Sequence, residues 1–243
     1  ATVLLAALLA TGPALAEHHK PFGYGPDNGP EKWGQLNSKD AICESGDMQS
    51  PIDLAGANVT GNLSLSVNYQ TGPLTVSNKG LTVQADFAPG STMTSGGTIF
   101  NLIQIHFHTP SEHAISGMRY PLTGHFVHAT EDGILGVLGV MFTEGSANAE
   151  LAKILAAVPS TNSGPITVAD RMLDPNALLP TGRSIYRYMG SLTTPPGSEG
   201  VNWHVLKDPI TASADQIAAF EALMGDSARP VRAINNRLVV APE

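Results

Sequence analysis

Apolar and polar residues alternate in short segments after Pro51, and this pattern constrains the fold more than any other feature of the chain. A period of two places one face of a β-strand against a core and the other towards polar surroundings. Turn-forming stretches at 77–80 and 89–90 separate the segments, and a Gly-containing connection at 131–133 joins the last two as a hairpin. The predicted strands cover residues 63–67, 74–76, 81–87, 99–108, 122–129 and 134–142.

Only a few segments have helical periodicity. The segment 147–158 places four apolar residues on one helix face, namely Leu151, Ile154, Leu155 and Val158. A second helix is predicted over 215–224, because a capping box of Ser213 and Gln216 precedes it and Gly225 follows it. The chain is therefore predicted to have a mainly β (α+β) fold with small peripheral helices.

The N-terminal residues form an apolar run that is broken at Gly12 and Pro13. Such a run, ending in small residues, is typical of the second half of a secretory signal peptide. A membrane anchor is the alternative, but so short and broken a run spans a bilayer poorly. We therefore expect residues 1–16 to be a partial signal peptide and 17–243 a single domain with an irregular arm at 17–50. The protein would then be periplasmic or secreted, without stable membrane insertion after signal removal.

The net charge of the chain argues against some classes of binding partner. The formal net charge is −8, and no Lys/Arg run occurs. Both features argue against nucleic acid or an anionic membrane surface as a partner and favour a small neutral or acid–base substrate. Cys43 is the only cysteine, so no intrachain disulfide can form and packing alone must stabilise the fold.

Histidines cluster in the middle of the chain, where three of the eight lie within residues 104–113. On a strand, Gln104, His106 and His108 share one face. A neighbouring strand could bring His125 opposite the first two imidazoles. Three neutral imidazoles without a thiolate or carboxylate at the same spacing favour zinc, with water as the fourth ligand. An open fourth position is typical of a catalytic site.

Four of the other five histidines are expected to be structural or solvated residues and not ligands. His113 and His128 fall off the ligand face and are expected to be buried, hydrogen-bonded imidazoles. His18 and His19 lie beside the expected cleavage point and are expected to be solvated.

A competing interpretation of the same stretch is the His-x-His-x-x-x-Glu ligand motif of cupins, which would make Glu112 a metal ligand. The glycine expected six residues before the first histidine is absent, because Phe100 stands there. No second cupin motif follows, so the match is interpreted as accidental.

The whole chain resembles the bacterial type of α-class carbonic anhydrase. The resemblance covers nearly all of the expected mature chain in order, which makes it far more specific than any one motif. The matching motifs lie at 22–25, 28–33, 49–52, 104–108, 111–113, 125–128, 136–139, 188–196, 201–203, 229–230 and 236–237.

The resemblance implies a zinc enzyme that interconverts CO2 and bicarbonate. It implies that His106, His108 and His125 bind Zn2+, and that zinc-bound hydroxide attacks CO2. Thr193 and Glu112 would form the catalytic pair that orients this hydroxide.

The resemblance also implies a set of supporting residues and a fold. Gln104 would support His106, and Tyr24 would belong to the water network. The residues that would surround the substrate are Val127, Val137, Leu192, Thr194 and Trp203. The implied fold is a large twisted, mostly antiparallel sheet with zinc at the foot of a conical cavity.

Three positions depart from the family pattern. Thr123 stands where the family usually has a Glu that supports the third ligand, and losing such a partner typically costs about 10–100-fold in metal affinity or activity. Thr123 could still hydrogen-bond to His125, weakly or through water. Leu81 stands at the place of a proton-shuttle histidine, so slowed proton transfer is expected. Gly197 follows the Thr-Thr-Pro-Pro motif where bacterial members often have a cysteine, which leaves Cys43 either as a buried thiol or for an intermolecular disulfide.

Two functions are consistent with these features. The first is zinc-dependent reversible hydration of CO2. The alternative is a catalytically impaired carbonic-anhydrase-like protein that binds zinc or a partner. The sequence leaves the oligomeric state open, with a homodimer among the options.

Overall fold

The structure is a computed structural model that describes residues 21–63 and 65–243. The predicted signal segment 1–16 and the residues His18 and His19 lie outside the described residues, so the expectations for them stay predictions. Within the described part, no helix is both long enough and apolar enough to cross a bilayer.

One large sheet dominates the described residues. Its strands are β1 (Val59–Thr60), β2 (Leu65–Asn68), β3 (Gly72–Asn78), β4 (Val83–Asp86), β5 (Thr92–Ser95), β6 (Thr98–His108), β7 (Leu122–Ala129), β8 (Leu135–Glu144), β9 (Ser163–Leu173), β10 (Ile185–Ser191), β11 (Glu199–Leu206), β12 (Ile210–Ala212) and β13 (Val239–Ala241). The main path runs β1-β13-β10-β11-β8-β7-β6-β4-β3-β9, with β12 paired to β8 and β5 linking β2 to β6. Most pairs are antiparallel, as expected, but β1–β13, β8–β11 and β8–β12 are parallel, so the sheet is mixed.

The helices are short and peripheral. They are α1 (Trp33–Leu36), α2 (Ile42–Ser45), α3 (Ala149–Leu155) and α4 (Ala214–Met224), with 3-10 turns at Pro30–Lys32, Ser38–Asp40, Leu54–Gly56 and Pro175–Leu178. The capping box of Ser213 and Gln216 starts α4 as predicted. The predicted helix 147–158 is shorter than expected at both ends. The Asn148 side chain accepts from two backbone N–H groups and caps the start of α3, and the helix ends at Leu155.

The strand β6 carries different chemistry on its two faces. Ile105 and Phe107 are fully buried in the main apolar cluster, where the Phe107 ring lies 4.8 Å from that of Phe220 on α4. His106 and His108, which alternate with these two residues along β6, point to the opposite face. Burial of the apolar residues therefore fixes which face of β6 presents the imidazoles.

A second apolar cluster covers the sheet face on the side of the imidazoles. It includes Val137 on β8, Tyr188 on β10 and Trp203 on β11. Neither β10 nor β11 was predicted as a strand from the sequence. Their pairing, and the parallel pairing of β11 with β8, are needed to place Trp203 beside the histidine cluster.

The two off-face histidines are buried and hydrogen-bonded, as predicted. His113 Nε2 lies 2.7 Å from Tyr188 Oη. His128 Nε2 lies 2.8 Å from Tyr69 Oη. Both imidazoles are thus engaged in the packing of the sheet faces.

Cys43 is a free and buried thiol, 2% exposed. Such burial argues against the intermolecular disulfide that the sequence left open. A Cβ on Gly197 would lie 2.5 Å from Cys43 Sγ, so the two positions are adjacent although only one carries a thiol.

Burial of His128 gives a testable pH dependence of stability. Burial lowers the pKa of His128 to about 4, partly opposed by a backbone hydrogen bond at Gly136. Between this pKa and the ordinary histidine pKa of 6.5, the unfolded chain binds the proton and the folded chain does not. The free energy of unfolding should therefore fall as the pH drops through this window, by about 1.4 kcal/mol per pH unit for this group.

The measurement is urea unfolding between pH 7 and 4 for the wild type and for the double variant His128→Leu/Tyr69→Phe, which removes both partners of the hydrogen bond. The double variant should show a shallower pH slope by about 1.4 kcal/mol per pH unit. Identical slopes would contradict this assignment.

Candidate metal centre

The pairing of β6 with β7 brings the three predicted ligands together. His106 lies directly opposite His125 in the antiparallel register, and His108 lies opposite Thr123. One ligand nitrogen from each of His106, His108 and His125 lies within 4.8 Å of the others. The strands thus place three imidazoles around one point.

Two of the imidazoles have their tautomers fixed by neighbouring acceptors. His106 Nδ1 donates to Gln104 Oε1 at 2.9 Å, and His108 Nδ1 donates to the Ser227 carbonyl at 2.7 Å. A neutral imidazole carries one N–H, so Nε2 of both rings keeps its lone pair. His108 Nε2 is buried and has no hydrogen-bond partner among the described residues.

The third imidazole is held differently. His125 Nδ1 lies 3.8 Å from Glu112 Oε2, on the side of the other ligands. His125 Nε2 is buried and has no hydrogen-bond partner in the described part of the chain. The Thr123 hydroxyl, which could have served as that partner, donates instead to the Val140 carbonyl at 3.0 Å. The direct hydrogen bond from Thr123 to His125 that the sequence left open is therefore not formed.

Burial keeps two of the three candidate ligands, His106 and His125, neutral at pH 7. It lowers the pKa of His106 to about 3, and the nearby His108 acts in the same direction. Burial also holds the pKa of His125 well below its usual range. Neutral imidazoles at pH 7 offer lone pairs to a cation without having to lose a proton first.

A buried carboxylate lies beside the three nitrogens. Glu112 is fully buried, and its Oε1 accepts from the backbone N–H of Arg229 at 3.1 Å. Its Oε2 has no hydrogen-bond partner among the described residues and lies 3.6 Å from His108 Nε2. Thr193 is buried as well, at 6% exposure, but no hydrogen bond joins it to Glu112.

A cavity of about 190 Å³ leads to this cluster. Leu81 lies in its wall. Its other lining residues are Phe22, Tyr24, Thr82, Gln84, Gln104, His106, His108 and Thr194. His125 is almost fully buried behind the cavity wall. The remaining predicted substrate residues, Val127, Val137, Leu192 and Trp203, belong to the second apolar cluster, and the Trp203 ring lies 4.9 Å from that of His125.

Two positions that orient His108 and Glu112 were given no such role from the sequence. Ser227 acts through its backbone carbonyl, which carries no residue-type signal. Arg229 acts through its backbone N–H, while its buried guanidinium donates to Gln49 Oε1 and to the carbonyls of Ser50 and Cys43. The Arg229-Pro230 motif marked this position without indicating its role.

The donor set fits a zinc ion. The cluster consists of three imidazole nitrogen donors, which zinc accepts readily, beside a carboxyl group that would remain outside the ligand set. The unpartnered buried atoms His108 Nε2 and Glu112 Oε2 would be costly without a cation nearby.

Comparisons with known proteins agree with this geometry. Residues 28–242 match the family model of the eukaryotic-type carbonic anhydrase. A carbonic anhydrase of Pectobacterium carotovorum is 40% identical over 223 residues, covering 90% of each chain. One of Klebsiella pneumoniae is 40% identical over 240 residues, covering 98% of this chain and 96% of that protein. The α-carbonic anhydrase from Thermovibrio ammonificans, solved with the inhibitor sulfanilamide, superposes with a TM-score of 0.87 at 40% identity, covering 90% of this chain and 98% of that one.

The unpartnered His125 Nε2 gives a direct prediction. Thr123→Glu places a carboxylate on the same strand face as His125 and should tighten zinc affinity by about 10–100-fold, because it supplies the missing acceptor. Thr123→Val is the matched control and should leave zinc affinity unchanged, since the native hydroxyl bonds to Val140. Competition with a chromogenic chelator measures both. A large loss of affinity in Thr123→Val would mean that the hydroxyl supports His125 after all.

Proposed function

We propose that this chain, which belongs to the eukaryotic-type (alpha) carbonic anhydrase family, catalyses the reversible hydration of CO2 with zinc bound by His106, His108 and His125. The observation that carries the proposal is the convergence of three imidazole nitrogens within 4.8 Å beside a buried carboxylate. Zinc at such a site lowers the pKa of a coordinated water to about 7, a value established for carbonic anhydrases as a class.

The protein contributes orientation of the ligands. Gln104 and the Ser227 carbonyl each accept the Nδ1 proton of one histidine, which leaves its Nε2 available to bind a metal ion. Such outer partners also raise the basicity of the ligands. The residues that fix His106 and His108 lie on β6 and on the segment after α4, which makes the site depend on two separate parts of the fold.

Glu112 and Thr193 are proposed to orient the attacking oxygen. A carboxylate can only accept hydrogen bonds, and Glu112 Oε2 is a buried atom without a hydrogen-bond partner among the described residues. The Thr193 hydroxyl would donate to it, and the Thr193 oxygen would then accept from the nucleophile. An oxygen fixed by this acceptor directs its remaining lone pair at CO2.

An apolar wall is proposed to bind CO2. Val127, Val137, Leu192 and Trp203 share one cluster next to His125. CO2 carries no net charge, so a surface without hydrogen-bonding groups can bind it without strong hydration.

Proton transfer is proposed to be the slow part of turnover. Leu81 lies in the cavity wall, and a hydrocarbon side chain cannot relay a proton. The imidazoles among the described lining residues, His106 and His108, are both assigned to zinc. The proton must therefore leave through water or buffer.

One observation favours a second candidate function, a catalytically impaired protein that binds zinc or a partner. His125 Nε2 has no hydrogen-bond partner among the described residues, and Thr123 is engaged elsewhere. A poorly supported third ligand would weaken metal binding and activity together.

The two functions are separated by stopped-flow CO2 hydration on protein of measured zinc content. We expect hydration that scales with zinc content and is blocked by sulfanilamide, and we expect His108→Ala to lose zinc and activity together. Protein that carries one zinc per chain and yet hydrates no CO2 would support the second candidate.

A proton acceptor in the cavity should speed turnover. Leu81→His should raise kcat by up to about 100-fold at low buffer concentration and leave kcat/KM for CO2 nearly unchanged, because only proton export is affected. Leu81→Ala, which opens the same space without an imidazole, is the control. Wild-type kcat should rise with added imidazole buffer, and a flat response would count against slow proton transfer.

A further inference from the structure

A buried chain of hydrogen bonds lies behind the metal centre, outside the residues assigned to the reaction. Tyr188 Oη lies 2.7 Å from His113 Nε2 and 2.9 Å from Ser50 Oγ. Ser50 Oγ accepts from Ser191 N–H at 3.0 Å, and Ser50 N–H donates to Ser191 Oγ at 2.9 Å. None of the four residues is more than 2% exposed. The residues His113, Tyr188, Ser50 and Ser191 are called the Tyr188 network below.

The hydrogen bonds of the Tyr188 network favour one arrangement of donors and acceptors. Ser50 Oγ already accepts from Ser191 N–H, so its own proton needs an acceptor, and Tyr188 Oη is the acceptor that lies within reach. Tyr188 Oη must then donate to His113 Nε2. In the reverse arrangement, His113 would donate to Tyr188 and Tyr188 to Ser50, and the buried Ser50 hydroxyl would have no acceptor among the described residues. The first arrangement is therefore favoured.

The Tyr188 network connects the two loops that carry the proposed catalytic pair. His113 directly follows Glu112, and Ser191 precedes Thr193 by two residues. Ser191 Oγ donates to the carbonyl of Leu192 at 2.7 Å, which constrains the backbone that leads to Thr193. A displacement at either end of the network would therefore move one member of the pair relative to the other.

Trp203 supports both ends of the Tyr188 network. Its Nε1 donates to the Ser191 carbonyl at 2.9 Å. Its ring centroid lies 4.7 Å from that of His113 and 4.9 Å from that of His125. The indole of Trp203 thus contacts the candidate ligand His125 as well as both ends of the Tyr188 network.

We propose that Tyr188 is a positioning residue, whose hydroxyl sets the position of the Glu112 loop relative to the Thr193 loop. This inference rests on the proposed function, because it concerns the same pair. Loss of the hydroxyl would leave the ring packed against Trp203 but would disconnect Ser50 from His113. The two loops would then be free to shift relative to each other.

The test compares Tyr188→Phe with Tyr69→Phe. Tyr69 Oη lies 2.8 Å from His128 Nε2 in a similarly buried pair that packs in the main apolar cluster, away from the metal centre. Both variants remove one hydroxyl from a buried Tyr–His pair, so their melting temperatures should fall comparably. At equal zinc content, kcat/KM for CO2 should fall about tenfold or more in Tyr188→Phe and stay within about twofold in Tyr69→Phe, because misplaced reacting groups lose rate steeply.

A conservative variant gives a readout that a purely structural role would not move. His113→Gln keeps an acceptor for the Tyr188 hydroxyl, whereas His113→Leu does not. We expect His113→Gln to retain most of the kcat/KM that His113→Leu loses, at matched zinc content. Equal losses in the two variants would overturn the inference.

Hydrogen–deuterium exchange tests the positioning role independently of catalysis. Peptides covering 111–114 and 191–195 should exchange faster in Tyr188→Phe than in the wild type and should be unchanged in Tyr69→Phe. If the zinc-loaded wild type hydrates no CO2, the proposed function fails, and the exchange result alone decides the role of Tyr188. Unchanged exchange in both peptides, or equal activity losses in the two tyrosine variants, would overturn the positioning role of Tyr188.

If Tyr188→Phe does not fold, Ser50→Ala takes its place in the comparison, because Ser50→Ala removes the hydroxyl that bonds to Tyr188.

Discussion

The register between β6 and β7 is the constraint on which the site depends. It places His106 opposite His125, and it is fixed by Ile105 and Phe126, which pair across the strands and are both buried. A slip of one residue would turn every side chain of one strand to the other face, so that imidazoles would point into the main apolar cluster and aromatic rings would point into the candidate site. The apolar residues between the three histidines are therefore as necessary for assembling the candidate metal site as the histidines themselves.

Local patterns predicted the part of the fold that lies close together in sequence. The segment 122–129 became β7 with the predicted bounds, and 99–108 became β6 with one more residue. The strands β10 and β11 were not predicted from alternation, and the parallel pairing of β11 with β8 joins segments far apart in the chain. Such pairing depends on which faces remain to be covered after the local hairpins form, and no single segment encodes it.

The candidate site divides in the same way. Side-chain type and spacing indicated His106, His108 and His125, because imidazoles are rare and their period on a strand is informative. The groups that orient them include the Ser227 carbonyl and the Arg229 N–H, and nearly every residue has such groups. Burying Glu112 costs folding free energy. A fully buried carboxylate with a single backbone donor is unfavourable unless positive charge lies nearby. Metal binding would therefore also stabilise the fold.

Thr123, which stands where the family usually has Glu, is compatible with the fold but leaves a polar group of the candidate site without a partner. The Thr123 hydroxyl satisfies itself on the Val140 carbonyl of the neighbouring strand, so the sheet has no unpaired hydroxyl at that position. The unsatisfied group lies two residues further along β7. It is His125 Nε2, which is buried without a hydrogen-bond partner among the described residues. Because an unpaired N–H on a metal ligand affects metal affinity more than strand pairing, packing and secondary structure give little sign of it. Family membership thus establishes the architecture, whereas the missing acceptor at His125 Nε2 bears on how strongly the candidate site would bind a metal ion.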